Sequence, residues 1–153
     1  MKITLLTLIL AFSTFANAVD IASCSNPDGY AYYAQVGVVR KADSGWKKDG
    51  ITGGKINVVM DDKNKYDLLY IDTQKGINSS KADGAQLLVI RASSRDFVLL
   101  ISYSTTSELY SFWKDDEGKF QYSHLQSKGA GLAITKSSVM VGRCDYIDFN
   151  AVK

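Results

Sequence analysis

Few side chains in this 153-residue sequence could carry covalent or acid–base chemistry: one histidine, His124, two cysteines, Cys24 and Cys144, and two glutamates, Glu108 and Glu117. His124 lies in a run rich in Tyr and Phe and reads as a member of an aromatic cluster rather than as a general base. No His, Cys and Asp combination has the spacing of a zinc site. The run Gly50-Ile51-Thr52-Gly53-Gly54-Lys55 has the outline of a phosphate loop. Its first glycine position is Asp49, however, and the hydroxyl expected after the lysine is Ile56, so it reads as the lead-in to a hairpin. Asp61, Asp62, Asn64 and Asp67 could offer oxygens to calcium. Lys63 and Lys65 fall among them, and the order is not that of an EF-hand, so a solvated turn is the reading taken. With Glu117 in a tight turn, a glycosidase-like pair would need aspartates. No catalytic residue, metal or cofactor is expected.

Recognition is the chemistry that remains. Tyr30, Tyr32, Tyr33 and Trp46 fall in the least regular part of the chain, and amphipathic rings at loop ends are common in binding surfaces. The competing reading turns Tyr30 and Tyr32 inward as the core of a first strand. Trp113 shares its face with Ser111, Gln121 and Ser123 and is expected to be exposed. These five aromatics are the candidate binding residues.

The two cysteines are read as one structural disulfide, Cys24 to Cys144, because no C-x-x-C motif is present and paired cysteines fit an oxidising compartment. A loop of that size contributes about 5 kcal/mol in the chain-entropy model. Ile21-Ala22-Ser23-Cys24 also resembles a bacterial lipobox. Asn17 and Asp20 separate it from the apolar run, and lipidation would leave Cys144 unpaired, so the disulfide is preferred. The compartment follows from residues 1–18: Lys2, an apolar run from Ile3 to Phe15, and Ala16-Asn17-Ala18 as an A-x-A cleavage site. The run is too short for a membrane span. The chain is thus expected to be exported, periplasmic or secreted, with a single β domain over 19–153. Losing Lys2 lowers the formal net charge of +2 by one. Charges are scattered, which gives no reason to expect nucleic acid or an anionic membrane as partner.

The elements that must position these residues are strands. Ala85 to Tyr103 holds two apolar runs around Ser93-Ser94-Arg95-Asp96, the pattern of a hairpin with Ala92 opposite Phe97. Strict alternation then places Leu88, Ile90, Ala92, Phe97, Leu99, Ile101 and Tyr103 on one face. Both faces are apolar, so this hairpin is expected at the centre of a sheet covered on both sides. Lys55–Asp61 and Tyr66–Asp72 read as a second hairpin, with a three-residue loop at Lys63 to Lys65, Asn64 left-handed within it, and Ile56, Val58 and Met60 sharing a face with Tyr66, Leu68 and Tyr70. Glu108–Lys114 and Lys119–Leu125 read as a third, turned by Asp116-Glu117-Gly118, with Tyr110, Phe112, Phe120, Tyr122 and His124 stacked on one face. Pro27-Asp28-Gly29 reads as a turn, Gln35 to Arg40 as a short strand, Lys41 to Gly54 and Thr73 to Gly84 as irregular, and Val139 to Asp148 as the closing strand.

No sustained helical period is present, so the expected fold is all-β: an antiparallel meander of about eight strands, closed as a small barrel or packed as two sheets. That plan resembles periplasmic binding and inhibitor modules, lysozyme inhibitors with small β-barrels among them. No motif here matches their functional residues, and a near-neutral chain would not steer a basic partner. The expected function is non-enzymatic binding of a protein partner through loops and exposed aromatics. The alternative is a small barrel carrying an apolar ligand between its strands.

Overall fold

The two termini of the domain meet in the middle of its sheet. In the computed structural model, which describes residues 18–72, 76–129 and 131–152, β1 (Val19–Tyr33) pairs antiparallel with β10 (Lys136–Ile147) from Ala22↔Ile147 to Tyr33↔Lys136. On one side of this pair stand β3 (Lys55–Met60), β4 (Tyr66–Asp72) and β5 (Gly76–Ser79). On the other stand β9 (Phe120–Lys128), β8 (Thr106–Lys114), β7 (Asp96–Ser102) and β6 (Gln86–Ala92). The spatial order is β5-β4-β3-β1-β10-β9-β8-β7-β6, and β2 (Gly45–Gly50) pairs with the far half of β1. The sheet curls into a half-barrel with β5 and β6 at its two edges. The all-β antiparallel plan and its terminal disulfide are those expected, built as one curled sheet. Ten strands appear because β2 and β5, in stretches read as irregular, are held as strands by their neighbours.

β1 is long because it serves two neighbours in turn. Val19 to Ser25 pairs with β3, and Asp28 to Tyr33 pairs with β2. The change falls at Asn26-Pro27, where the β10 register shifts and Asn26 takes a φ of 49°. Proline lacks an N–H to donate and is tolerated at such an irregularity. Its carbonyl still accepts from Ile51 N–H, while Asn26 Oδ1 accepts from Gly53 N–H at 2.9 Å. Pro27-Asp28-Gly29, read as a turn, therefore lies inside a strand. Residues 35–40, read as a strand, are irregular, because Gly37 at φ 63° breaks the extended run.

Cys24 and Cys144 sit directly opposite each other in the β1–β10 ladder and are bonded. Both are buried in the inner core with Ile21, Val58, Leu68, Phe97, Leu99, Ile101, Phe112 and Tyr122. Strands pass so closely here that a Cβ on Gly142 would lie 2.4 Å from the Tyr122 ring. The third hairpin follows the expected register, with Gly118 at φ 83° in its turn. The second keeps the expected shared face and has Asn64 at φ 55°, but Asp61 N–H donates to the Lys65 carbonyl, so its loop is Asp62 to Asn64 and Met60 stands opposite Tyr66.

The first hairpin does not. Ala92 faces Phe97 as read, but a bulge between Val89 and Arg91 shifts the ladder. Beyond it Val89 pairs with Leu99 and Leu87 with Ile101, so Leu87 and Val89 join the core while Leu88 and Ile90 are 59% and 52% exposed. One extra residue reverses the parity of everything past it. The hairpin also lies at the end of the sheet, with no strand beyond β6 among the described residues.

Candidate functional site

Two places gather functional side chains: the outer surface around the β1–β2 extension, and a cleft on the inner face. Outside, Ala31 is buried, so by alternation Tyr30 and Tyr32 turn to solvent, 57% and 46% exposed. The inward reading of these two tyrosines is therefore not the one adopted. Trp46 of β2 lies opposite Tyr32 in the ladder, 66% exposed, and meets it edge-on with ring centroids 5.6 Å apart. Past them, Val36, Val38, Leu132 and Ile134 are exposed in loops joined by backbone bonds from Ala34 to Thr135 and Val38 to Ala133.

Tyr33, on the opposite face of β1, is not part of this surface. Its hydroxyl donates to Asp49 Oδ2 at 3.2 Å, and Lys136 Nζ reaches the same oxygen at 2.8 Å while lying over the Tyr33 ring. Burial raises the Asp49 carboxyl, but Lys136 and these hydrogen bonds outweigh it and hold it below its ordinary value. This triad fastens β1, β2 and β10 together beneath the aromatics. Trp113 is half-buried, two strands beyond β10, opposite Asp96 and Gln121. It was expected to be exposed and is separate from the other aromatics.

The ladder shows one relation that residue types alone do not. Tyr30 faces Val139, which faces Leu125, then Leu109, Leu100 and Leu88. Directly opposed residues share a face, so an apolar row six strands wide crosses the outer surface and ends at the aromatic edge. Beside it runs a hydroxyl row: Tyr32, Ser137, Ser127, Ser107 and Ser102.

On the inner face, the aromatic stack grades into polar groups. His124 lies flat on Tyr110 with ring centroids 4.4 Å apart, and Phe112 stacks on Phe97 further along. One row above His124, the Glu108 side chain is 12% exposed. Its Oε1 accepts from Gln126 Nε2 at 2.7 Å and its Oε2 from the Tyr110 hydroxyl at 2.9 Å. His124 Nε2 stands 3.6 Å from Oε2, within ion-pair reach but too far for a hydrogen bond. Burial pushes the Glu108 carboxyl up, yet His124, Gln126 and Tyr110 more than compensate and hold it below its ordinary value. The Tyr122 hydroxyl is buried without a partner. These groups line a cleft of about 680 Å³, with Tyr70, Tyr103, Asp83 and Lys128. Burial and the Glu108 charge raise the Tyr110 phenol well above its ordinary value.

Elsewhere, Asp61 Oδ1 accepts from the N–H groups of Lys63 and Lys65, and Oδ2 meets Lys81, so that turn's carboxylate serves the turn itself. Among the described residues no group of three or more His, Cys, Asp or Glu is placed to hold a metal. No helix there is long and apolar enough to cross a membrane. Comparison with known proteins found no matching family model, curated protein or solved structure.

Proposed function

We propose that the protein is an exported, non-enzymatic binding protein that takes a protein partner on its outer face. The observation carrying this reading is the continuity of Tyr32, Trp46 and Tyr30 with the apolar row Val139, Leu125, Leu109, Leu100 and Leu88. Exposed aromatics beside a contiguous apolar strip, flanked by hydroxyls, have the make-up of an interface with an apolar centre and a polar rim. Export rests on the leader read at residues 1–18, of which 1–17 lie outside the described residues, and on the disulfide, which is compatible with an oxidising compartment. Cleavage after Ala18 would give a mature chain beginning at Val19, and intact mass of the purified protein tests this directly. A lipidated species beginning at Cys24 would contradict the disulfide as well as the leader.

The binding reading is tested by immobilising the mature protein and its Tyr32→Ala/Trp46→Ala variant and quantifying proteins retained from the native exported fraction. A partner retained by the first and depleted about tenfold or more by the second supports it, since loss of two interface anchors commonly removes that much affinity. Equal retention on both, with both folded, would reject the aromatic edge as the binding surface.

A further inference from the structure

We propose that the inner cleft is a second binding site, one that takes a primary ammonium group carried on an apolar body. Two carboxylates line the cleft, Glu108 and Asp83, and no Lys or Arg ion pair among the described residues reaches either. Asp83 is held by the Tyr70 hydroxyl. Glu108 is desolvated and is satisfied by neutral donors, with His124 beside it. A largely buried carboxylate whose nearest cationic group is the His124 imidazole at 3.6 Å, with Lys128 on the cleft wall but not bonded to it, is a costly arrangement, and a ligand ammonium would offset that cost.

The hydrogen-bond inventory points to the kind of cation. An ammonium brings three donors and no acceptor. Glu108 Oε1 carries one hydrogen bond and can accept another, and the buried Tyr122 oxygen accepts none. Tyr70, Tyr103, Tyr110 and Tyr122 line the same cleft, and aromatic rings attract a cation. An anion would meet the Glu108 charge, and a purely apolar ligand would leave the Tyr122 hydroxyl buried and unpaired. The apolar body has its own place. A hollow of about 240 Å³, mostly apolar with Pro27, Ile51, Ile56, Tyr70 and Ile71 but also with Thr52 and Lys55 on its wall, adjoins the cleft and shares Pro27, Ile51, Ile56 and Tyr70 with it.

Phenethylamine and its neutral counterpart phenethyl alcohol separate charge from shape, and calorimetric titration of the mature protein with each reads the site. The amine should bind saturably and the alcohol about tenfold or more weakly, as expected when a desolvated cation meets a carboxylate and aromatic faces. Glu108→Gln should abolish the preference for the amine. Tyr122→Phe, which removes one oxygen and no ring, should weaken the amine several-fold and leave the alcohol unchanged. The proposal fails if the amine does not saturate in the millimolar range, or if the alcohol binds equally. It fails also if folded Glu108→Gln keeps the preference. Should Glu108→Gln not fold, unaltered amine affinity in Tyr122→Phe would overturn it alone.

Discussion

The β6–β7 hairpin and the β1–β10 pair divide between them two properties that usually go together. The hairpin is the most apolar stretch of the described strands, yet it forms one end of the sheet and leaves Leu88 and Ile90 in solvent. The β1–β10 pair is mixed in composition, with Asp28, Tyr30, Tyr32, Arg143 and Asp145 along it, yet it is central, long and disulfide-bonded. Apolar content therefore reports how much surface a segment must cover, not where it stands. In the middle of this sheet, pairing on both sides and a covalent link do the fixing. At its edge, the apolar excess on the outer face is left available for contact.

That contrast is broken most directly at the disulfide. Cys24→Ala/Cys144→Ala should lower stability by about 5 kcal/mol, because the bond restrains almost the whole unfolded domain. Denaturant unfolding of oxidised wild type and variant measures this. The oxidised native protein should also show no titratable thiol. A loss within 1 kcal/mol would mean that β1 and β10 hold each other without the bond, and that the centre owes its stability to pairing alone.

The next largest effect is expected on the inner face of the edge hairpin. Leu99 is fully buried and paired with Val89 and Tyr110. Leu99→Ala should cost about 2–5 kcal/mol, the range for deleting a packed leucine and leaving a cavity. Unfolding at the wild-type midpoint would show that the hairpin contributes little to the core despite its apolar sequence.

How far the sequence could be read follows the same division. Local signals held for turns and faces: Asn64 and Gly118 supply positive φ, and Phe112 stands against Tyr122 as the Asp116–Gly118 turn requires. Val58 keeps its face although its partner is Leu68, two residues from the pairing that a Lys63–Lys65 loop would give. Non-local signals were weaker. Nothing in Val89-Ile90-Arg91 marks a bulge, and that single residue moves Leu88 from the core to the surface. Pro27 reads locally as a turn, and only the exchange of β3 for β2 along β1 explains its place in a strand. The aromatic edge was half legible. Residue type alone singles out Tyr30, Tyr32 and Trp46, but their meeting depends on β2, a polar segment that is a strand only because β1 pairs with it. The cleft has a trace in the sequence. The third hairpin's alternation puts Glu108, its first residue, on the same face as Tyr110, a charged residue at core parity opposite Gln126.

The smallest effect is the most specific to the bulge. If strict alternation were right, Ile90 would lie beside Leu99, and Ile90→Ser would bury a hydroxyl while deleting most of a core side chain. The loss would then approach that of Leu99→Ala. In the structure Ile90 sits in the bulge between Val89 and Arg91, half in solvent, and has no opposite residue in the ladder. Exposed substitutions away from caps, turns and buried networks usually change stability by no more than about 0.5 kcal/mol. Ile90→Ser should therefore unfold with the wild-type midpoint, while Val89→Ser, one residue earlier and packed against the core, should not. Measured side by side, the two variants read the parity of the strand. If their order is reversed, the bulge is absent, Leu88 turns inward, and the apolar row on the outer face stops at Leu100.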